Sequence, residues 1–433
     1  MTVSNLEGGE TPHRLLHSII DEFRPDLGSF EDVYRDIHQH PELGQQEKRT
    51  SAIAAAHLLQ DTSYEVTTNI GGYGLVGVLR NGDGPTVLLR ADMDALPIRE
   101  QTNLPYASTV ETVDTDGEKK PVMHACGHDT HVTCMMATST LLARAKSKWK
   151  GTLIILFQPD EEHGRGARAM LDDKLYDKIP KPDIVLGQHL TSCKTGVVLI
   201  RPGIFMASAD TFKVTIFGRG SHSAQPQYSI DPIVLAASTI LRLQTVVARE
   251  IGPEDVASVT CASIHGGKAP NVIPSEVELT LNIRTFDAAV REKVLAAVKR
   301  IIKGEAIASG VVKEPEVEVI STFPLTVNDP EAAKKLERTF KSYFNENTWE
   351  ASRHTTSEDF SLLASSIGVP SVFWNFGGVD VNKWEEYVKE KDSVILPRSH
   401  QANYAPVIDP TLKTGVDAMS LAALSFLDVV AKS

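Results

Sequence analysis

The stretch LIILFQPDEEHGRGA, residues 153–167, runs from five consecutive apolar residues into three acids and a glycine-rich turn. A continuous apolar run this short marks a strand buried on both faces of a sheet. Three adjacent acids at its end repel one another unless a cation is near, and the carboxyl ends of strands are where α/β sheets place their sites. Similar runs stand at 74–79 (GLVGVL), 86–90 (TVLLR) and 183–187 (DIVLG). Helical spacing separates them, with Val33, Ile37, Ile53, Ala56 and Leu59 across 31–60 and Val132, Met135, Met136, Leu141, Leu142 and Ala145 across 131–146. The reading is an α/β domain whose mixed sheet has helices on both faces.

Between 206 and 320 the pattern changes. Phe212, Val214 and Ile216 alternate with polar neighbours, as do Val277, Leu279, Leu281 and Ile283, which describes half-buried strands. Further strands are expected at 257–264 and around Val317 and Val319. One helix starts after the cap Asp231-Pro232, and a second carries Val290, Val294, Leu295, Val298 and Ile301. The order β-α-β-β-α-β is the ferredoxin-like arrangement. After 325 the mixed character returns, with PSVFWNF at 370–376 and a last helix near 412–430. The expected organisation is a first part of the larger domain at 1–205, an inserted α+β domain at 206–320 and the remainder of the larger domain at 321–433.

A chain of 433 residues exceeds a single hydrophobic core. Its 44 basic and 56 acidic residues give a net charge of −12, which disfavours nucleic acid or an anionic membrane as partner. No uninterrupted apolar run approaches the roughly 18–20 residues of a membrane span, and the N-terminus lacks the pattern of a secretory signal. Four cysteines, Cys126, Cys134, Cys193 and Cys261, read as reduced thiols. A cytoplasmic location is expected.

The densest polar signal is HACGHDTH at 124–131, where Cys126 and His128 stand two apart as a thiolate and an imidazole suited to one or two metals. The three acids Asp160, Glu161 and Glu162 follow the strand above, so that one of them suits a metal and its neighbour a proton-accepting place beside it. His189 ends the next apolar strand, DIVLGQH at 183–189, His400 lies in PRSHQANYAP, and Asp92 and Asp94 stand at the end of the run at 86–90. Acids so placed commonly orient a metal-binding histidine. Taken singly, each has a plain alternative: a helix cap, a solvated acidic loop, a structural histidine. Several strand ends delivering such groups together is what points to a site.

The segments RDIHQHPELG (35–44), LLRADMDALPI (88–98), HACGHD (124–129) and FQPDEE (157–162) resemble the co-catalytic metallo-amidohydrolases. That family includes hippurate hydrolases, aminoacylases and hydrolases of auxin–amino acid conjugates. GRGSHSAQP (218–226), GGKAPNVIP (266–274), IRTF (283–286) and SEDF (357–360) continue the resemblance in order. It implies Cys126, His128, Glu162, His189 and His400 as metal ligands, with Cys126 bridging two divalent ions, zinc or manganese. It implies Glu161 as general base and Asp94 as the acid supporting the centre. Asp92 stands where more distant relatives have a histidine ligand. His222 matches a residue that polarises the scissile carbonyl, often from a partner subunit, and Asn271 and Arg284 match positions near the substrate's carboxylate. Two departures touch the pocket: Gln227 stands where a histidine is frequent, and His163 where glycine is common.

The expected function is hydrolysis of the amide bond of an N-acyl amino acid or similar small conjugate by metal-activated water. The inserted domain is expected to act as lid and as the face of a homodimer. Alternatives are a carboxypeptidase or dipeptidase using the same centre, an amide-forming biosynthetic enzyme and a catalytically silent binder.

Overall fold

The computed structural model describes residues 12–114, 117–391 and 393–430. It divides into two compact units: Met1–Phe205 with Val327–Ser352 and Asp359–Ser433, and Met206–Thr326 with Arg353–Glu358.

The first unit is built on a nine-stranded mixed sheet. At its centre Thr86–Asp92 lies between Trp149–Gln158 and Ile184–Lys194, parallel to both, and Ile184–Lys194 is parallel to Ser371–Val379 in turn. Gly74–Asn81 pairs antiparallel with Trp149–Gln158 on the other side. The apolar run at 153–157 is completely buried, as a strand covered on both faces must be. Helices His128–Arg144 and Thr411–Phe426 are buried along nearly their whole lengths. In the first of them Thr133 donates to the Asp129 carbonyl and Ser139 to that of Met136, so these hydroxyls are satisfied within the helix.

One expectation about this sheet changes. His189 does not end its strand; the strand continues to Lys194, held by its pairing with Ser371–Val379 through Thr191↔Gly377. The ladder to Thr86–Asp92, by contrast, stops at Arg90↔Gly187. His189 therefore stands where the sheet opens on one side only.

The second unit is a four-stranded antiparallel sheet in the order Ala257–His265, Glu276–Thr285, Ser208–Phe217, Glu316–Phe323. Its helices Pro232–Thr245 and Ala288–Ala308 complete the β-α-β-β-α-β order. The Asp231 carboxylate accepts from the N–H groups of Ile233 and Val234, so the Asp-Pro start is an N-cap. Pro232–Glu250 is long and apolar enough by composition to cross a membrane. Its Leu235, Ala236 and Leu243 instead join Val214, Leu279 and Leu281 in this unit's own core.

Candidate metal centre

Five segments of the first unit deliver the polar residues, one of them the strand Ile184–Lys194 that carries His189. Asp92 ends its strand and Asp94 follows it. Trp149–Gln158 leads into a sharp turn, in which Asp160 adopts φ +48 and its carbonyl accepts from the N–H groups of Arg165 and Gly166. A Cβ on Gly166 would lie 1.6 Å from the Pro159 oxygen, so only glycine closes this turn. The turn aims both N–H groups of Glu161 and Glu162 at Asp94, whose Oδ1 and Oδ2 accept them at 3.1 and 3.0 Å. Gly127, at φ +93, starts the helix that carries His128, with Cys126 just before it. His400 itself has φ +69, and its N–H is fixed on the Ala125 carbonyl at 2.8 Å. Left-handed backbone at a non-glycine residue persists only where its surroundings enforce it.

The five residues expected as ligands gather here. Cys126 Sγ lies 3.4 Å from His189 Nε2. Glu162 places Oε2 3.3 Å from His400 Nε2 and Oε1 3.9 Å from His128 Nε2. Ligand atoms of Cys126, Glu162 and His400 lie within 4.8 Å of one another, as do those of His128, Glu161 and Glu162. Tautomers follow from the partners. His128 Nδ1 faces the Asp94 carbonyl at 2.8 Å and His189 Nδ1 faces that of Leu190 at 2.6 Å. A carbonyl only accepts, so Nδ1 carries the proton in both rings and Nε2 is turned to the site.

Two buried atoms at this spot, His128 Nε2 and Glu162 Oε1, have no hydrogen-bond partner. Buried polar atoms are seldom left so. Burial, with the carboxylates of Glu162, Glu161 and Asp92, pushes the Cys126 thiol far up. Burial likewise raises Glu162 to about 7, with His128 opposing. His128 is held at about 10 by Asp92, Asp94 and Glu162 against the cost of burial. Burial and the neighbouring His131 drive His189 well down. A thiol and a carboxyl that resist ionisation, beside a histidine drawn into its charged form by three carboxylates, mark crowded anions that a divalent cation would relieve. Thiolate, imidazole and carboxylate together are a donor set that such an ion takes. The residues fit a metal.

Three expected residues belong to the second unit. His222 is exposed; its Nδ1 accepts the Ala224 N–H at 3.1 Å, which leaves the proton on Nε2. It lines a cavity of about 1120 Å³ with Ser221, Lys268 and Val272. Asn271 joins the same turn, its carbonyl accepting from the Ser223 N–H. Arg284 donates to neutral acceptors, Asn282 Oδ1, the Thr355 carbonyl and Ser357 Oγ, and burial lowers its pKa.

The sequence reading missed the buried framework behind the site. Arg90 donates to Asp92 Oδ2, Asp359 Oδ1 and Gln158 Oε1. His131 Nδ1 is 2.5 Å from Asp92 Oδ1. His38, in the RDIHQHPELG motif, spans Asp129 and Glu100. His131 had a signal, for it follows His128 by three residues on a helix and so shares its face. His163 turns to Asp160, with Nδ1 2.5 Å from Oδ1.

An α/β sheet whose strands and adjoining loops bring together a thiol, three imidazoles and paired glutamates defines a metallohydrolase. The model of Peptidase family M20/M25/M40 matches residues 88–400. Hippurate hydrolase of Campylobacter jejuni is 35% identical over 350 residues, covering 80% of this chain and 88% of that protein. N-acetyl-L-cysteine deacetylase of Bacillus subtilis is 35% identical over 353 residues, 81% of each chain. The solved structure of the Bacillus subtilis YXEP protein, described as a dinuclear metal binding peptidase of the M20 family, superposes with a TM-score of 0.70 at 27% identity. That match covers 92% of this chain and 97% of the other. The chain belongs to Peptidase family M20/M25/M40, and it is a metal-dependent amidohydrolase.

Proposed function

We propose that this enzyme hydrolyses N-acyl amino acids or similarly small amide conjugates at a centre of two divalent ions. Cys126, His128, Glu162, His189 and His400 would hold the ions in this proposal. The observation that carries it is the pair of buried, unpartnered atoms, His128 Nε2 and Glu162 Oε1, aimed at the place where the other donors meet. The names of the two relatives, a hippurate hydrolase and an N-acetyl-L-cysteine deacetylase, support an N-acyl amino acid as substrate. The thiol favours zinc, and the imidazole and carboxylate donors also suit manganese.

When bound, the ions lower the pKa of water and polarise the amide carbonyl. Glu161, buried beside Glu162 with its N–H on Asp94, takes the proton of the attacking water on a carboxylate oxygen and passes it to the leaving nitrogen. Asp94 holds the His128 ring and the 161–162 backbone at once. His222 donates from Nε2 to the developing oxyanion. Arg284, facing neutral partners only among the described residues, has charge to spare for the substrate carboxylate, and Asn271 completes that end. In this proposal the second unit is the lid and the face of a homodimer, and the enzyme works in the cytoplasm.

The test is turnover of N-acetyl- and N-benzoyl-amino acids against dipeptides, with manganese, zinc and cobalt supplied separately. Release of the free amino acid from the N-acyl series, with dipeptides much slower, is the expected result. Metal-loaded enzyme that cleaves only dipeptides, or nothing, would overturn the substrate assignment.

A further inference from the structure

We infer that His131 is a positioning residue of the metal centre, the middle member of a buried hydrogen-bonded line running from Arg90 to His189. The inference rests on the proposed ligand role of His189. His131 keeps company with Asp92, His128 and His189, all with ligand-type atoms within 4.8 Å of one another, and by composition alone it would pass for a fourth ligand. Its own bonds assign it otherwise.

The Leu190 N–H donates to His131 Nε2 at 2.8 Å. A backbone N–H has no other role than donor, so Nε2 carries no proton and Nδ1 does. Nδ1–H then points at Asp92 Oδ1, 2.5 Å away. Both ring nitrogens are thus engaged with protein, and neither offers a lone pair to an ion. The other Asp92 oxygen, Oδ2, accepts from Arg90 Nη1 at 2.7 Å. Arg90 is itself fixed by Gln158 Oε1 at 2.9 Å and Asp359 Oδ1 at 3.2 Å. At the far end the Leu190 carbonyl accepts from His189 Nδ1 at 2.6 Å.

The line is Arg90, Asp92, His131, the Leu190 backbone, His189. It occupies the gap where the ladder between Thr86–Asp92 and Ile184–Lys194 has stopped, one residue pair after Leu89↔Leu186. Backbone groups there must find partners, and Leu190 finds two histidines. His131 donates to Asp92 and accepts from Leu190 in one tautomer only, so the carboxylate fixes the direction of the Leu190 N–H, in the peptide that joins it to His189. The carbonyl on the other side of the Leu190 Cα holds the proton of His189 on Nδ1 and leaves Nε2 turned to Cys126. Asp92, which stands where more distant relatives have a histidine ligand, serves here as the anchor of that line.

The experiment titrates the metal-free full-length enzyme with cobalt(II), following the visible absorption bands and resolving the two binding steps by chelator competition. Wild type is compared with His131→Phe, His131→Asn and His131→Gln, each checked for native circular dichroism without metal. His131→Phe is expected to weaken one of the two steps by about 10–100-fold and to alter the cobalt bands, with the other step nearly intact. Asn retains a donor near the Nδ1 position and Gln an acceptor near Nε2, so each restores part of the affinity. The losses in His131→Phe and Asp92→Asn are expected to be non-additive in the double variant, as for members of one network. Two binding steps and a cobalt spectrum like wild type in a folded His131→Phe would overturn the inference. If His131→Phe does not fold, wild-type behaviour of both other variants overturns it equally. Wild type that takes up no cobalt would sink the metal reading itself, a different result from either.

Discussion

Raising the pH should strip a buried ion pair from this enzyme, and His38 is where the loss can be isolated. His38 is 1% exposed, with Nδ1 2.7 Å from Asp129 Oδ2 and Nε2 3.0 Å from Glu100 Oε1. Burial alone would drive the proton off this ring, but the bonds to Asp129 and Glu100 outweigh it and raise the pKa from 6.5 to about 9. Both carboxyls are held below their ordinary values against burial, with His38 among the causes, so the two sides agree. Below pH 6.5 folded and unfolded chains both carry the proton, and the stabilisation is complete. Between there and pH 9 the folded chain keeps a proton that the unfolded chain has lost, so stability falls as pH rises. A separation of about 2.5 pH units at 1.36 kcal/mol each corresponds to about 3 kcal/mol.

The assay is urea unfolding of chelator-treated protein across that window, wild type beside His38→Gln. The variant should be less stable at the acid end by about 3–5 kcal/mol, because Asp129 and Glu100 stay buried with one neutral partner. The gap between the two proteins should close by about 3 kcal/mol toward pH 10. Other groups titrate in both proteins and cancel in the difference. Parallel pH profiles would refute the charged state of His38. The outcome bears on function, because Asp129 is the neighbour of His128 in the first turn of its helix.

Glu161→Gln should keep its metal and its fold while kcat drops by about 10²–10⁴-fold; turnover at the wild-type rate would remove it from the mechanism. Cys126→Ala should lower the metal content measured after dialysis, and undiminished occupancy would argue against ligation. Gly127→Ala puts a Cβ 2.7 Å from Leu190 Cδ2 at φ +93. It should destabilise the metal-free protein by about 1–3 kcal/mol in urea unfolding, and an unchanged midpoint would show that the helix start relaxes freely.

The architecture was legible where burial imposes a pattern. The continuous run at 153–157 and the alternation from Val277 to Ile283 each declared how many faces their strand buries. Asp231-Pro232 declared a helix start because a cap and a missing N–H are local chemistry. Helices Pro12–Phe23 and Pro330–Phe344 went unread, although each is amphipathic, because they pack on the core without carrying a motif. The donors of the site were legible as chemistry at strand ends. Their supports were not, because Arg90, Asp359 and Gln158 read singly as surface residues, yet each is 1% exposed or less. Only the pairing of distant segments brings an arginine inside with two carboxylates. The extent of the strand past His189 was hidden for the same reason, since its partner is Ser371–Val379, far along the chain.

The central claim is best tested by anomalous scattering from crystals of the enzyme loaded with manganese or zinc. The expected result is two peaks about 3.5–4 Å apart, with Cys126 Sγ touching both and His128, Glu162, His189 and His400 completing the donors. A single peak, or ions bound away from Cys126 and Glu162, would contradict it.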